Sequence, residues 1–568
     1  MSSLVTWKAM KDRINFALVI IFLITFSGYL ISALQVMPRK DEIEYLWRAQ
    51  ALVNGQIEIS PQHNYFFSIV LSIGFFVFGE NLVVAQSISA FIGALVVIPS
   101  YLLAQELFKD KIHARELGLV TAMLVSLTLM PFSVEIRNDL LFLLFFIFFC
   151  FYIVKSISET KYLKIAGFFN GLAFLARDQG ILIIPVLIVY FFVNELHHKS
   201  YNQNVISRAK QSVNRELLLA IITFFLVIMP KLFWKWYFFG DPFYIRNSNF
   251  WLDNYEDKYN TAGFISQSKF QPSMSNYIKT HTVQQMAERW LLGAYRIIEK
   301  LQGQLLLPVL GLALIGLLLF RKRRAWILHL NMSIWFVVLS WLFGIRPTTR
   351  WIIPLFPLLL IPATATVMEL AVRVVELIKT KLMTTQKKFP QMLWLKRLPF
   401  DMIQNCKRTM RFIRVNLSSK RFLSFLLVCF VIIFIPLFAF RTGQIYEQSV
   451  PSQEYQALLE MVDWVTINTA EDSLFMTRDG NDLIFYYAHR ESVITPNGNI
   501  SFILKVIHDL NVDYLIIDSG TLHLRPALVD IFTGIYIPPG FSLVYWNFED
   551  ELFKNSNTLE IKIFLTGI

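Results

Sequence analysis

Long uncharged stretches recur along the chain, beginning with FALVIIFLITFSGYLISALQV at residues 16–36. At 1.5 Å per residue this stretch makes a helix of about 31 Å, enough to cross the hydrocarbon core of a bilayer. Its basic approach (Lys8, Lys11, Arg13) resembles a signal peptide, but its length and the lack of a small-x-small site before Met37 and Pro38 predict an uncleaved first span. Further apolar runs lie near 82–108, 117–134, 140–154, 165–177, 180–194, 217–238, 304–320, 326–344, 351–372 and 422–440, roughly eleven spans in all. The run from Ile165 to Leu196 would be about 48 Å long as one helix and carries Arg177 and Asp178 midway, so two short spans fit it better. Tyr65 to Gly79 is too short for a crossing and reads as an interfacial or re-entrant helix.

The polar segments between these runs alternate in charge. Starting with a cytoplasmic N-terminus, the loops that fall inside carry Lys109, Lys111 and Arg115, then Lys155, Lys161 and Lys164, then Lys199, Arg208, Lys210 and Arg215, then Arg321 to Arg324, and finally thirteen basic residues across 373–421. Eleven crossings put everything from Thr442 onward outside, and that tail holds six Lys/Arg against seventeen Asp/Glu. The net charge of +12 is therefore topological, and nucleic-acid binding drops out. Composition agrees: 55% of residues are hydrophobic, 17% are charged and mean hydropathy is +0.49, which excludes an ordinary soluble domain. Cys150, Cys406 and Cys429 offer neither a disulfide framework nor a cysteine metal cluster.

The expected organisation is a polytopic α-helical membrane domain over 1–441, with outside loops at 37–81 and 240–303 and a basic cytoplasmic loop at 373–421, followed by a small extracytoplasmic α/β domain over 442–568. In that tail, β-like runs at 473–477, 512–519, 541–546 and 559–566 alternate with helical patterns near 452–467, 499–510 and 523–533. The protein is expected in the plasma membrane as a multi-pass chain.

Some charges have no topological reason. Asp41, Glu42 and Glu44 crowd the first outside loop, Glu135, Arg137 and Asp139 fill the second, and Arg346 and Arg350 stand at the entrance to the run WIIPLFPLLLIPA. Each has a plain alternative: a solvated loop, a helix cap, an interfacial anchor. Taken together, Asp41, Glu42, Asp139, Arg177 and Arg350 all fall on one side of the membrane at the ends of different spans. Carboxylates there can activate a nucleophile, and guanidinium groups can hold a departing phosphate.

DEIEYLWRAQALVNGQ, FGEN followed by AQSISAFIGALVVIPSYLLAQELF, GFFNGLAFLARDQGILIIPVL, GDPFY and RWIIPLFPLLLIPA resemble motifs of the GT-C membrane glycosyltransferases. The likeness is to the branch of protein O-mannosyltransferases and bacterial aminoarabinose transferases, glycosyltransferase family 39, over roughly residues 10–375. It implies an inverting glycosyltransferase that moves a hexosyl or pentosyl unit from a polyprenyl-phosphate donor to a hydroxyl of a protein, lipid or glycan at the outer face. By the same resemblance Asp41 is the catalytic carboxylate, Glu42 its supporting neighbour and Asp139 the second acid, while Arg137, Arg177 and Arg350 hold the lipid phosphate. Relatives differ in divalent-ion use, which makes Asp41 and Asp139 the candidate ligands should a cation take part. Where relatives often carry Pro-Pro, this chain has Pro61-Gln62-His63, a departure on the acceptor side. A transporter or flippase of lipid-linked glycans would instead place ionisable residues at the bilayer midplane and repeat its halves, and an inactive scaffold homologue would keep the fold without the chemistry.

Overall fold

The computed structural model describes the chain except residues 1, 37, 39–40, 57–63, 112, 183, 188, 190–202, 241, 243–250, 254–255, 257–273, 306, 321–325, 389–418, 450–452, 479–480, 548–558 and 568. The Pro61–His63 departure, most of GDPFY, the Arg321–Arg324 cluster and the centre of the basic loop 373–421 thus lie outside the described residues.

Helix α1 (Ser2–Ala33) is followed by two short helices, α2 (Asp41–Val53) and α3 (Tyr65–Phe78). The apolar bundle then resumes with α4 (Leu82–Leu95), α5 (Val97–Leu107), α6 (Ala114–Ser133), α7 (Asp139–Ser156), α8 (Leu163–Ala176) and α9 (Gln203–Phe239). Beyond these come α10 (Val283–Gln304), α11 (Leu307–Leu319), α12 (Trp326–Phe343), α13 (Leu355–Lys388) and α14 (Ser419–Ser449). Among the described residues seven helical stretches are long and apolar enough to cross a membrane, eight if α10 and α11, bent by 115°, form one broken span. The protein is a multi-pass membrane protein, but this count is lower than eleven. Three of the expected runs appear as shorter apolar helices, near Asp178–Leu187, in Phe430–Ile445 and in α8, whose 14 residues reach only about 21 Å.

Sequence explains much of the packing. Helices α4 and α5 make one span, Leu82–Leu107, broken at Val96, where Pro99 cannot donate to the Leu95 carbonyl. Helix α7 is apolar on every face, and 78% of it is buried, so it occupies the bundle centre, with Phe146 edge-on to Trp335 of α12 at 5.6 Å. Helix α8 presents Gly167 and Gly171 to α9. A Cβ on Gly167 would lie 2.2 Å from the Ala220 carbonyl oxygen, so the missing side chains let the two backbones touch. Helix α3 leaves Phe76 and Phe78 exposed and is too short to cross, in line with an interfacial element.

The C-terminal region holds helices α15 (Gln453–Asn468), α16 (Asn481–Tyr487) and α17 (Ile500–Asp509) around a five-stranded mixed sheet. Its strands are β1 (Leu474–Thr477), β2 (Glu491–Ile494), β3 (Tyr514–Asp518), β4 (Ser542–Trp546) and β5 (Ile561–Leu565), in the order β2-β1-β3-β5-β4. β1 pairs in parallel with β2 and β3, while β5 runs antiparallel to both β3 and β4. Four of these strands coincide with the runs read from sequence. The fifth, ESVI in β2, is too short and polar to give a strand signal, and it forms because Leu474 to Thr477 supply its ladder.

Candidate active site

The site is built where α1 ends. Gln86 of α4 donates to the Ala33 and Val36 carbonyls at 2.7 and 2.9 Å, closing the C-terminus of α1 and fixing where the chain turns into α2. Helix α2 opens with Asp41, Glu42 and Glu44, whose charge suits a helix N-terminus. The helical period sets Asp41, Tyr45 and Arg48 on one face, while Glu42 points about 100° away from Asp41.

That rotation divides the labour between the two acids. Asp41 accepts from Arg350 Nη1, which arrives on the short turn Thr349–Ile352 between α12 and α13. Glu42 is buried, and it accepts from the Ile136 backbone N–H at 3.0 Å and lies 3.7 Å from Arg137 Nη2. Arg137 also reaches Glu135 at 3.0 Å, and Ser89 donates to the Glu135 carbonyl at 2.7 Å. Glu42 therefore anchors the loop ahead of α7 and is directed toward that loop.

Asp139, the first residue of α7, is ion-paired with Arg177 Nη1. Arg177 follows the last turn of α8 with extended backbone (φ −147°, ψ 138°), and the adjacent Ala176 carbonyl accepts from Asn138 at 2.8 Å and from Asn64 at 3.2 Å. Those two asparagines pin the corner that presents Arg177. Sequence reading singled out neither; for Asn138 its place next to Asp139 is a signal that could have found it, while Asn64 carries none.

The structure thus brings all six residues expected from sequence into three acid–arginine pairs: Asp41 with Arg350, Glu42 with Arg137 and Asp139 with Arg177. They share one field, since Arg177 lies in electrostatic range of Arg350, Tyr45, Asp41 and Arg137. Accessibility separates them. Asp41 and Arg350 are 30% and 25% exposed, whereas Asp139 and Glu42 are 6% and 4% exposed, so the first pair is the one a substrate reaches most readily. Tyr45 sits beneath it; burial pushes its phenol well above the ordinary value, Asp41 adds to this and Arg177 and Arg350 oppose it, so the hydroxyl stays protonated as a donor.

Next along the chain from Arg177, Asp178 is bonded to Lys231 Nζ at 2.6 Å with Lys235 Nζ at 3.6 Å, and Lys231 also donates to the Phe174 carbonyl at 2.9 Å. Sequence reading passed over these lysines, although two cations four residues apart within an apolar span are a signal in themselves. For a divalent ion, the described residues do not assemble a donor set. No group of three or more His, Cys, Asp or Glu is disposed to hold one among them, and Asp41 and Asp139 face guanidinium groups.

The chain is a helical membrane bundle with a charged corner built from α2, the α6–α7 loop, the end of α8 and the α12–α13 turn, joined to a mixed α/β sheet. Solved structures agree. ArnT from Cupriavidus metallidurans bound to undecaprenyl phosphate is 12% identical with a TM-score of 0.55, over 97% of this chain and 98% of that one. The oligosaccharyltransferase AglB from Archaeoglobus fulgidus, in complex with an inhibitory peptide and a dolichol-phosphate, is 15% identical with a TM-score of 0.55, over 90% of this chain and 70% of that one. Residues 61–234 match the family model described as dolichyl-phosphate-mannose-protein mannosyltransferase. No curated protein sequence matches the chain. These findings bear out the resemblance to GT-C membrane glycosyltransferases read from the motifs. The matched segment includes Asp139 and Arg177 but stops short of Asp41 and Arg350 on either side.

Proposed function

We propose that the protein is an inverting glycosyltransferase that transfers a sugar from a polyprenyl-phosphate donor to an acceptor hydroxyl at the outer face of the membrane. The observation that carries this is the convergence of three acids and three arginines, from four separate parts of the chain, on one corner of the bundle. A cytoplasmic N-terminus and an odd number of crossings, the arrangement that the basic loops and the acidic tail support, put that corner and the domain 442–568 outside, above a catalytic domain over 1–441.

In this reading the donor phosphate docks against Arg350 and replaces Asp41 as its partner. Phosphate binding then frees the Asp41 carboxylate beside the acceptor. As the acceptor oxygen bonds to the anomeric carbon, the bond from that carbon to the phosphate oxygen breaks. The acceptor proton passes to Asp41, and the electron pair leaves with the polyprenyl phosphate. Arg137 and Arg177, held by Glu42 and Asp139, add positive potential where the leaving phosphate gains charge, and the surrounding apolar helices keep water from competing as acceptor.

The test is chemical. Lipids extracted from the purified protein and identified by mass spectrometry are expected to include a polyprenyl monophosphate or its sugar ester, enriched over the bulk membrane and depleted in Arg350→Ala. Only bulk phospholipid, in both, would contradict the reading.

A further inference from the structure

Away from the charged corner, a cleft of about 430 Å³ opens between α2 and the C-terminal region. Trp47 and Gln50 line it from α2, and Tyr486, Tyr487, His489 and Glu491 line it from α16 and the approach to β2. Its floor is stiffened from both sides. Trp47 packs edge to face on Phe485 at 4.7 Å, and Tyr486 packs edge to face on Tyr487 at 4.9 Å. Arg490, which also borders the cleft, is spent on structure: its guanidinium donates to the Ala488 and Thr469 carbonyls, both at 2.9 Å, tying the cleft wall to the end of α15. His489 and Glu491 stand exposed at the rim, and His489 holds the left-handed backbone (φ 53°), a conformation that costs a side-chain-bearing residue free energy.

We propose that this cleft binds a saccharide. Aromatic rings present π faces to the C–H groups of a pyranose; the Gln50 amide and the Tyr486 phenol are hydrogen-bonded to each other, and their remaining capacity, with the imidazole and carboxylate at the rim, suits its hydroxyls. The volume falls within the range of small-ligand sites. With Arg490 committed to carbonyls and the rim carrying a carboxylate, the described residues of the cleft form no cationic cluster for a phosphate, and its polar rim does not suit a lipid chain. Trp47 and Gln50 follow Asp41 on the same helix by about 9 and 14 Å of axial rise, so a bound glycan lies alongside the charged corner. The identity of this saccharide as acceptor rests on the transferase reading above; the binding itself does not.

Isothermal titration and saturation-transfer NMR of the full-length protein in detergent, with hexasaccharides of glucose, mannose, galactose and N-acetylglucosamine as probes, test this without any donor. At least one is expected to bind at up to millimolar concentration. Trp47→Ala and Tyr487→Ala are each expected to weaken it about tenfold, the size of one lost aromatic contact. Trp47→Phe, which keeps the contact with Phe485, is expected to melt like wild type and bind at an intermediate level. Asp41→Asn should bind like wild type, and glycan binding by a wild-type protein that transfers no sugar would leave the cleft standing while the transferase reading fell. Four silent hexasaccharides, unchanged affinity in Trp47→Ala and Tyr487→Ala, or binding only of a Ser/Thr-rich peptide laid along the edge strand β2, would each overturn the proposal.

Discussion

Replacing Asp139 by Asn removes one charge from a buried acid–arginine contact and leaves its shape nearly intact. Asp139 is 6% exposed and Arg177 13% exposed, so the arginine is left in a low-dielectric corner with Arg350 and Arg137 as like-charged neighbours. Breaking a buried pair by removing one partner costs about 3–5 kcal/mol, and the residual solvent contact of Arg177, together with the charge of Asp41, argues for the lower end, about 3 kcal/mol. Arg177→Gln is expected to cost about as much, since it strands the carboxylate at the start of α7, where the helix dipole recovers about 0.3–1 kcal/mol. The double variant removes both charges and should cost little more than either single change, which gives a coupling of about 2–3 kcal/mol. Denaturant titration of the four proteins in mixed micelles measures this. Strictly additive losses would mean that Asp139 and Arg177 do not act as a pair, and the geometry drawn for this corner would be wrong.

Three further outcomes follow from the same contacts. Arg350→Lys keeps a cation but loses the planar fork, so KM for a polyprenyl-phosphate sugar should rise by about tenfold or more while kcat falls less; the reverse split would remove Arg350 from phosphate binding. Gly167→Val places a branched side chain where even a Cβ would meet the Ala220 carbonyl at 2.2 Å, so α8 must move away from α9, at a cost of about 1–3 kcal/mol and with loss of activity as the Arg177 corner shifts; a fully active, stable variant would contradict the close packing. Glu256 is gripped by Arg478 at 2.9 and 3.0 Å and by Arg525 at 2.8 Å, and although burial pulls its carboxyl upward, these two arginines outweigh that and hold it below the ordinary range. Its stabilisation is therefore complete above the ordinary glutamate value of about 4.3 and fades as pH falls through the lower native value, so Glu256→Gln should lower stability by about 2 kcal/mol at neutral pH and by progressively less in acid. A gap that widened on acidification would refute that assignment.

Much of the site was legible because the residues that build it break strong local patterns. Charges at the ends of uncharged runs are costly without partners, and Asp41, Asp139, Arg177 and Arg350 stood out for that reason. Their pairing was not legible. A guanidinium suited to phosphate is equally suited to a carboxylate, and which acid meets which arginine depends on the rotation of α2 and on the corner held by Asn64 and Asn138. Glu42 illustrates this: adjacent to Asp41 in sequence, it lies about 100° around the helix and serves the α7 loop instead. The bundle was legible from hydropathy, whereas short helices such as α8 and the polar strand β2 depend on tertiary partners and carry weak local signals.

The most direct trial of the central claim is sugar transfer in membranes bearing Asp41→Asn, with protein level matched to wild type and a radiolabelled polyprenyl-phosphate sugar as donor. Loss of the carboxylate that takes the acceptor proton should slow transfer by about 10²- to 10⁴-fold while donor lipid still co-purifies. Transfer at the wild-type rate would mean that the acid opposite Arg350 performs no chemistry.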